Sequence, residues 1–435
     1  MKSFIIKKGH NIKIGDKTVL KIYESDTPKV ISFHPCRIKS FKTKLLVKIN
    51  DKVKVGSPLF YDKNNKEVLY VSSVSGVVKN ILYGERRIVE SLCISNDGSY
   101  ESEKISTKIC KETLLKSGLW SLLRQKPFSK VPGSDSLPRS FFISSIPTEP
   151  FAIDYNYLFD NIDNCIQEGI NVLKDIFKCD INMSISENSF FSNLDNVNFY
   201  RFNKLHPSGN IGIQIHHIDP IKNSADARWY LSLQDLNRIG SYFKNKIYQN
   251  FKYISINGDD VNNPGYYKTI IGTSINDMDI APNDNTRIIS GDVLSGKEIS
   301  KELSIDFYDE ILSIIRTSNK REFLGWILPG LKKYSLTNTF LSKLLSNKKS
   351  ILNTNLNGSV RTIIPMGNWE SVLPMNIYPE YLIKSILSKD IDLMEKLGIY
   401  EVSPEDFSLC SFICQSKVEV SKIIQDGLDL IEAEI

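Results

Sequence analysis

The hydrophobic period changes along this chain, and that change constrains the fold more than any single residue does. Up to about residue 100, apolar positions alternate in short segments: Leu45-Val47-Ile49, Val53-Val55, Val68-Tyr70, Val77-Val78 and Ile88-Val89, broken by Gly, Asn and Asp turns. A period of two puts such residues on one face of a pleated strand, so this region predicts a small all-β unit. From about 103 to 250 the spacing is mixed. Leu158, Ile162, Cys165, Ile166, Gly169, Leu173 and Ile176 recur at three and four residues, which predicts one apolar helix face. Trp229-Tyr230-Leu231 leads into a second helix with Leu236, Ile239, Gly240, Phe243 and Ile247 inward. The runs Ser140-Phe141-Phe142-Ile143 and Ile211-Gly212-Ile213-Gln214-Ile215 suit buried strands, and the alternation argues for an open α/β layer. Strand signals return from about 251 to 330, where Tyr253-Ile254-Ser255-Ile256 and Tyr267-Lys268-Thr269-Ile270-Ile271 flank a turn through Asn262-Asn263-Pro264-Gly265. Beyond Tyr334 helices dominate. Pro379 opens one, Gly398 closes the next, and Ser403-Pro404-Glu405-Asp406 joins a cap, a first-turn proline and acids at the positive helix end.

Composition narrows the class. Fifty-five Lys+Arg against 50 Asp+Glu leave a net charge of +5 over 435 residues, too little and too dispersed for a nucleic-acid partner. Basic clusters such as Glu85-Arg86-Arg87 and Lys320-Arg321 are isolated and read as solvated turns. No stretch reaches the about 18 uncharged apolar residues that a spanning helix needs. The opening Met1-Lys2-Ser3-Phe4-Ile5-Ile6-Lys7-Lys8-Gly9 has too short an apolar run for a signal peptide. Seven irregularly spaced cysteines do not make a disulfide framework. The expected compartment is the reducing cytoplasm, with any membrane attachment made through a partner.

Several motifs invite chemistry that their details refuse. Asn50-Asp51-Lys52-Val53-Lys54-Val55-Gly56-Ser57-Pro58-Leu59 and Ser73-Val74-Ser75-Gly76-Val77-Val78 resemble the half-motifs of barrel-sandwich domains that carry biotin or lipoate. Between them lies the charged stretch Tyr61-Asp62-Lys63-Asn64-Asn65-Lys66-Glu67, read as a loop with no lysine at a hairpin tip, so the scaffold is expected without its prosthetic group. Gly291-Asp292-Val293-Leu294-Ser295-Gly296-Lys297 nearly spells a phosphate-binding loop, but Glu298 stands where Ser or Thr is needed to ligate Mg²⁺. Two hairpin glycines explain it better. His206, His216, His217 and Asp219 suggest a metal site, yet adjacent histidines in an extended segment face opposite sides. Cys410 and Cys414 share a helix face, half of what an iron–sulfur cluster requires. No nucleophile elbow, dinucleotide fingerprint or catalytic carboxylate pair emerges.

A series of longer segments runs in order over nearly the whole chain: Val74-Ser75-Gly76-Val77-Val78 with Gly84-Glu85-Arg86-Arg87; Ser117-Gly118-Leu119-Trp120; Lys126-Pro127-Phe128-Ser129-Lys130-Val131-Pro132; His206-Pro207-Ser208-Gly209-Asn210 with His216-His217-Ile218-Asp219-Pro220; Phe323-Leu324-Gly325-Trp326-Ile327; Pro365-Met366-Gly367-Asn368-Trp369-Glu370; and Leu409-Cys410-Ser411-Phe412-Ile413-Cys414. Together they resemble the A subunit of the Na⁺-translocating NADH:quinone reductase, a bacterial respiratory complex, with Trp369 departing from an expected Tyr. That family is similar to the flavin- and NADH-binding subunit of complex I and to the C subunit of the Rnf complex. The resemblance implies an α/β multidomain chain: a barrel-sandwich (lipoyl-like) β domain over 1–100, an open α/β domain over 101–250, a β-grasp, soluble-ligand-binding domain over 251–330, and a helical domain over 331–435.

It also implies the function. The expectation is a cofactor-free subunit, peripheral on the cytoplasmic face of the inner membrane, that supports quinone (ubiquinone) reduction by NADH coupled to Na⁺ export. FMN, FAD, riboflavin and iron centres are expected in partner subunits, chiefly around the membrane-embedded B subunit. The flavin-phosphate loop of the relatives corresponds here to Gly118-Leu119-Trp120-Ser121-Leu122-Leu123-Arg124, whose bulky side chains block backbone approach to a phosphate. Cys410 and Cys414 look like a cluster remnant. The alternative, a stand-alone Rnf-like flavin and iron–sulfur electron-transfer protein, requires a glycine loop and cysteine quartets, and both are missing. No catalytic or metal residue is expected. The proline-bracketed segment 126–133 is expected to be an extended loop whose Phe128, Lys130, Val131 and Pro132 lie near quinone, and Trp326 and Pro329 are expected to dock a partner.

Overall fold

The computed structural model describes residues 1–12, 14, 18–259, 261–278, 280, 285–318, 327–331, 333–334, 340–343 and 353–434. The period-two segments of the N-terminal region pair as their alternation demands. Gly76–Tyr83 and Val89–Asn96 form a long antiparallel hairpin, extended by Val30–Phe33 on one edge and Lys52–Val53 on the other. A second sheet of Thr43–Leu45, Pro58–Asp62 and Asn65–Val71 completes the sandwich. Ile31, Val78, Leu92 and Ile94 from the first sheet share one core with Leu59, Phe60 and Val68 from the second. The earliest strands leave this unit. Lys2–Phe4 pairs with Asn198–Phe202, and Ile22–Glu24 pairs with Gly265–Ile270, both in parallel. One stretch of chain thereby contributes to three sheets.

The α/β unit is a six-stranded sheet in the order Lys2–Phe4, Asn198–Phe202, Asp180–Ile185, Ser140–Ser144, Arg228–Tyr230, Arg124–Lys126, parallel except for the last pair. Helices Ile166–Phe177 and Leu233–Lys244 pack on each other at backbone contact. A Cβ on Gly240 would lie 1.9 Å from the Cys165 carbonyl oxygen, and one on Gly169 2.4 Å from that of Leu236, so only glycine permits this approach.

Two expectations for this unit are corrected. The apolar face read from Leu158 to Ile176 is not one helix: Tyr155–Asp160 stops, and the chain restarts at Ile166. Side chains take over the backbone bonding in the gap, where Asn164 accepts from the Ile166 N–H (3.0 Å) and Asn237 from that of Cys165 (2.7 Å). The run read as a strand at 211–215 is helix Ile211–Ile218. A continuous apolar run fits a buried helix as well as a buried strand, and periodicity does not separate the two.

The third sheet runs Lys297–Glu298, Thr286–Ser290, Ile311–Arg316, Phe251–Gly258, Gly265–Ile270, Ile22–Glu24. Its core holds Ile254, Ile256, Ile275, Met278, Ile288, Leu312 and Ile314. Gly291 and Gly296 lie in its edge hairpin, Gly291 at φ +95° with the Gly296 Cα 2.9 Å from where a Cβ would project. Helices Asn368–Val372, Pro379–Ser388, Ile391–Lys396, Ser408–Ile413 and Val420–Glu434 surround a core of Trp369, Leu382, Met394, Phe407, Ile424 and Leu428. Phe128, Phe142, Ile213 and Tyr230 of the α/β unit enter that same core, which fixes the helical unit against the sheet.

Candidate functional site

Where these units meet, a cleft of about 2640 Å³ opens. One wall is the segment expected to be an extended loop. It is a tight reversal instead: Phe128 and Ser129 adopt φ of 74° and 52°, and the Gln125 N–H closes the turn on the Lys130 carbonyl at 2.8 Å. The corner falls between the two prolines, so their restraint on neighbouring residues shapes its arms rather than straightening it. Phe128 turns inward, buried edge-on against Tyr400 with ring centroids 6.2 Å apart. Pro132 is buried too, its carbonyl accepting from the Trp120 indole N–H at 2.9 Å. Lys130 and Val131 line the cleft, and Lys130 is paired with Glu432 at 2.5 Å. Of the partner-docking candidates, Pro329 is exposed, while Trp326 lies outside the described residues.

Behind the reversal is an ion pair with one end buried. The Lys126 ammonium meets Glu405 at 2.8 Å, with side-chain exposures of 1% and 37%. Burial opposes ionisation of Glu405, but Lys126 and then Arg124 override it and hold the carboxyl well below its ordinary range. Asp406 next door goes the other way, pushed up to about 6, first by burial and also by the charge of Glu405.

The corner of the cleft beside the reversal combines apolar walls with hydrogen-bond donors. Ile38, Phe60, Val131 and Phe307 supply the walls. Arg124 is held between the rings of Tyr230 and Tyr308, 5.1 and 4.7 Å from their centroids. Arg37 meets Asp306 at 2.6 Å, which brings residues 37–39 against residues 306–308. The Lys39 ammonium nitrogen is buried and has no hydrogen-bond partner among the described residues. The pairing of Lys39 with Arg124 is not visible from sequence: they lie 85 positions apart, Lys39 in a segment without a motif and Arg124 at the end of the Gly118 segment, and only the tertiary fold joins them.

A second wall carries carboxyl groups whose positions, so far apart in sequence, give no sign of grouping. Glu149 is pushed up to about 7, chiefly by burial and then by the charges of Asp292 and Glu310. Asp292 and Glu310 are also raised by burial; the Tyr155 hydroxyl donates to Glu310 at 2.7 Å. A carboxyl whose folded-state pKa is raised keeps its proton while the unfolded chain loses it, so stability falls as pH rises from 4.5 to about 7 and is level above. Glu149→Gln should remove that slope and leave the protein more stable at pH 8 by about 3 kcal/mol, with little effect at pH 4.5. Urea unfolding at the two pH values checks this; equal shifts at both would refute it.

The remaining candidates separate. His216 and His217 lie in the last turn of helix Ile211–Ile218, not on two faces of a strand. His216 engages Glu401 and accepts from the Asn376 N–H at 3.0 Å, while His217 bonds the Pro374 carbonyl at 2.9 Å. His206 reaches Thr148 at 3.1 Å, and burial holds its pKa down at about 4. Among the described residues no three His, Cys, Asp or Glu side chains gather as metal ligands. Cys410 and Cys414 are buried thiols, and burial pushes that of Cys410 upward. In the Gly118 segment, Leu119, Trp120, Leu122 and Leu123 are all core residues, and a Cβ on Gly118 would meet Val71 at 2.7 Å. One expectation about the barrel-sandwich is corrected: Lys63 does sit exposed in the turn between Pro58–Asp62 and Asn65–Val71, because Asn65-Lys66-Glu67 belong to the strand and not to a loop.

Comparison with known families matches three consecutive segments. Residues 4–97 match the NqrA N-terminal barrel-sandwich hybrid domain, 105–246 the NqrA second alpha/beta domain, and 253–301 the NQRA C-terminal domain. Among curated proteins, the A subunit of the Na(+)-translocating NADH-quinone reductase of Pseudomonas aeruginosa is 32% identical over 443 residues, 99% of each chain. Proteins of the same name from Haemophilus influenzae and a Marinomonas species are also 32% identical, each over 99% of both chains.

Proposed function

As the chain belongs to the family of the A subunit of the Na⁺-translocating NADH-quinone reductase, we propose that it serves that sodium-pumping complex as a cofactor-free peripheral component which borders the quinone path. The observation that carries membership is the match over 99% of both chains, covering every unit of the fold. Among the described residues no helix is long and apolar enough to cross a membrane, so attachment would run through other subunits, chiefly the membrane-embedded B subunit, on the cytoplasmic face. The residues present do not fit a flavin: the loop where its phosphate would rest is packed with Leu119, Trp120, Leu122 and Leu123. Electrons would pass through flavins and iron centres of the partners.

The quinone reading rests on the cleft corner. Its mixture of apolar walls and a few donors is the usual make-up of a small-molecule site. The full cleft, at about 2640 Å³, is larger than the roughly 300–1,000 Å³ of such sites, so a quinone head would occupy the corner beside Lys130 and Val131 and leave the rest open. The test is a photoreactive quinone analogue applied to the assembled complex. Label on this chain should fall within residues 120–140. Label wholly outside that window, or none on this chain, defeats the reading. The same preparation should show neither flavin nor iron–sulfur absorbance in the separated chain, and its intact mass should equal that of the bare sequence, Lys63 included.

A further inference from the structure

We infer that Lys39 is the side chain that donates to a carbonyl oxygen of the quinone head in the cleft corner; this rests on the quinone reading above. An ammonium group carries three donors and requires acceptors or water. Lys39 lines the cleft, and its ammonium nitrogen, tucked among its neighbours, makes no hydrogen bond among the described residues. A buried ammonium without a protein partner is unfavourable, so a ligand oxygen within its reach satisfies what the protein's own groups leave unsatisfied.

The neighbours explain why the missing acceptor comes from outside the chain. Asp429, Glu405 and Glu432 act on Lys39 through their charge, with Lys126 opposing them. Each of these carboxylates is already engaged: Glu405 with Lys126 at 2.8 Å, Glu432 with Lys130 at 2.5 Å and the Ser40 hydroxyl at 3.0 Å, Asp429 with the Gln425 amide at 2.5 Å. Charge around the ammonium is therefore largely balanced. A neutral acceptor suits it better than a free anion, which the surrounding carboxylates would repel.

The walls select the rest of the ligand. Phe60 stacks on Tyr70 at 5.0 Å, Tyr70 meets Phe307 edge-on at 5.5 Å, and Val131 and Ile38 line the same cleft as Phe60 and Phe307. A flat apolar ring bearing carbonyl oxygens matches an aromatic and aliphatic slot with a donor at one end. Among the described residues the Arg124 guanidinium makes one long bond, to the Ser129 carbonyl at 3.5 Å, and its clamp between Tyr230 and Tyr308 holds it in the cleft lining as a second donor.

Ubiquinone-1, a short-tailed soluble quinone, titrated into the full chain and followed by tryptophan fluorescence, tests the assignment. Wild type should bind saturably, Lys39→Met should weaken binding about tenfold, and Lys39→Arg should restore most of it, as expected for one hydrogen bond from a charged donor. Lys39→Met should also unfold at a higher temperature than wild type, since it removes an unpartnered buried charge, so weaker binding is not a symptom of misfolding. Lys39→Gln, which keeps a neutral donor, serves if the methionine variant does not fold. Unchanged binding by Lys39→Met, with wild type binding, overturns this inference alone. Absence of saturable binding by wild type overturns the quinone reading and the inference together.

Discussion

Glu405→Ala should destabilise the protein by about 3–5 kcal/mol, far more than removal of its partner Lys126, because only one end of their ion pair sees water. Lys126 is 1% exposed, and with Glu405 gone its ammonium is left with the ring of Tyr230, 5.7 Å away, and the neighbouring Asp406. Lys126→Met leaves Glu405, whose side chain is 37% exposed and can turn to solvent, so its cost should be about 1–2 kcal/mol. Asp406 gives the comparison a pH signature. Burial, and then the charge of Glu405, raise its pKa to about 6 against the pull of Lys126. Without Glu405 that carboxyl ionises more readily and partly replaces it. Glu405→Ala should therefore be milder at pH 7 than at pH 5, where Asp406 holds its proton for longer. Urea unfolding of both variants at both pH values decides the matter, and equal costs for the two substitutions would show that the buried charge is compensated in another way.

The second large effect is expected at Trp120. Its side chain is fully buried, edge-on to Trp229 at 5.4 Å and beside Phe177 at 5.7 Å. Trp120→Ala should cost about 3–5 kcal/mol through the cavity it leaves. Trp120→Phe keeps most of the volume but gives up the bond to the Pro132 carbonyl, which should cost about 1 kcal/mol. That bond anchors the far arm of the reversal carrying Lys130 and Val131. Both variants should thus raise hydrogen exchange at residues 129–133, a change that a purely local cavity would not produce. Unaltered exchange there would detach the indole from the shape of the cleft wall.

What the sequence revealed and what it concealed follow from the range of the interactions involved. Alternation at Val68 and Tyr70, the proline at 379, the glycine at 398 and the cap at Ser403 act within a few residues, and each stands where its local chemistry predicts. Ser403 and Asp406 form the reciprocal cap, with the Ser403 hydroxyl 2.6 Å from the carboxylate. Misreadings arose where local signals tie or are overruled. Ile211–Ile218 is apolar over most of its surface because its middle is buried on all sides, which erases the period that identifies a helix. Asn164 and Asn237 interrupt a good helical face with side-chain bonds, one of them from 72 residues away. The segment 126–133 reverses because Gln125 and Lys130 pair and Phe128 finds Tyr400, and the prolines announce neither contact. The cleft was the least legible feature. Lys39, Arg124, Glu149 and Asp292 become neighbours of one space only through four units meeting, whereas the filled Gly118 segment could be anticipated from its own bulky residues.

The three-sheet course of the first residues has a consequence for how the molecule is made. Strand Lys2–Phe4 has no partner until Asn198–Phe202 exists, and Ile22–Glu24 waits for Gly265–Ile270. At ribosomal speeds of about 5–20 residues per second, Lys2–Phe4 stays unpaired for roughly 10–40 s while the barrel-sandwich and much of the α/β sheet emerge behind it. Parallel pairing across such separations is slow to form, because loop closure must precede any gain from contact. Residues 2–4 and 22–24 are thus among the last to settle. They act as a clasp, and the two large sheets are fastened to each other only after translation has passed residue 270.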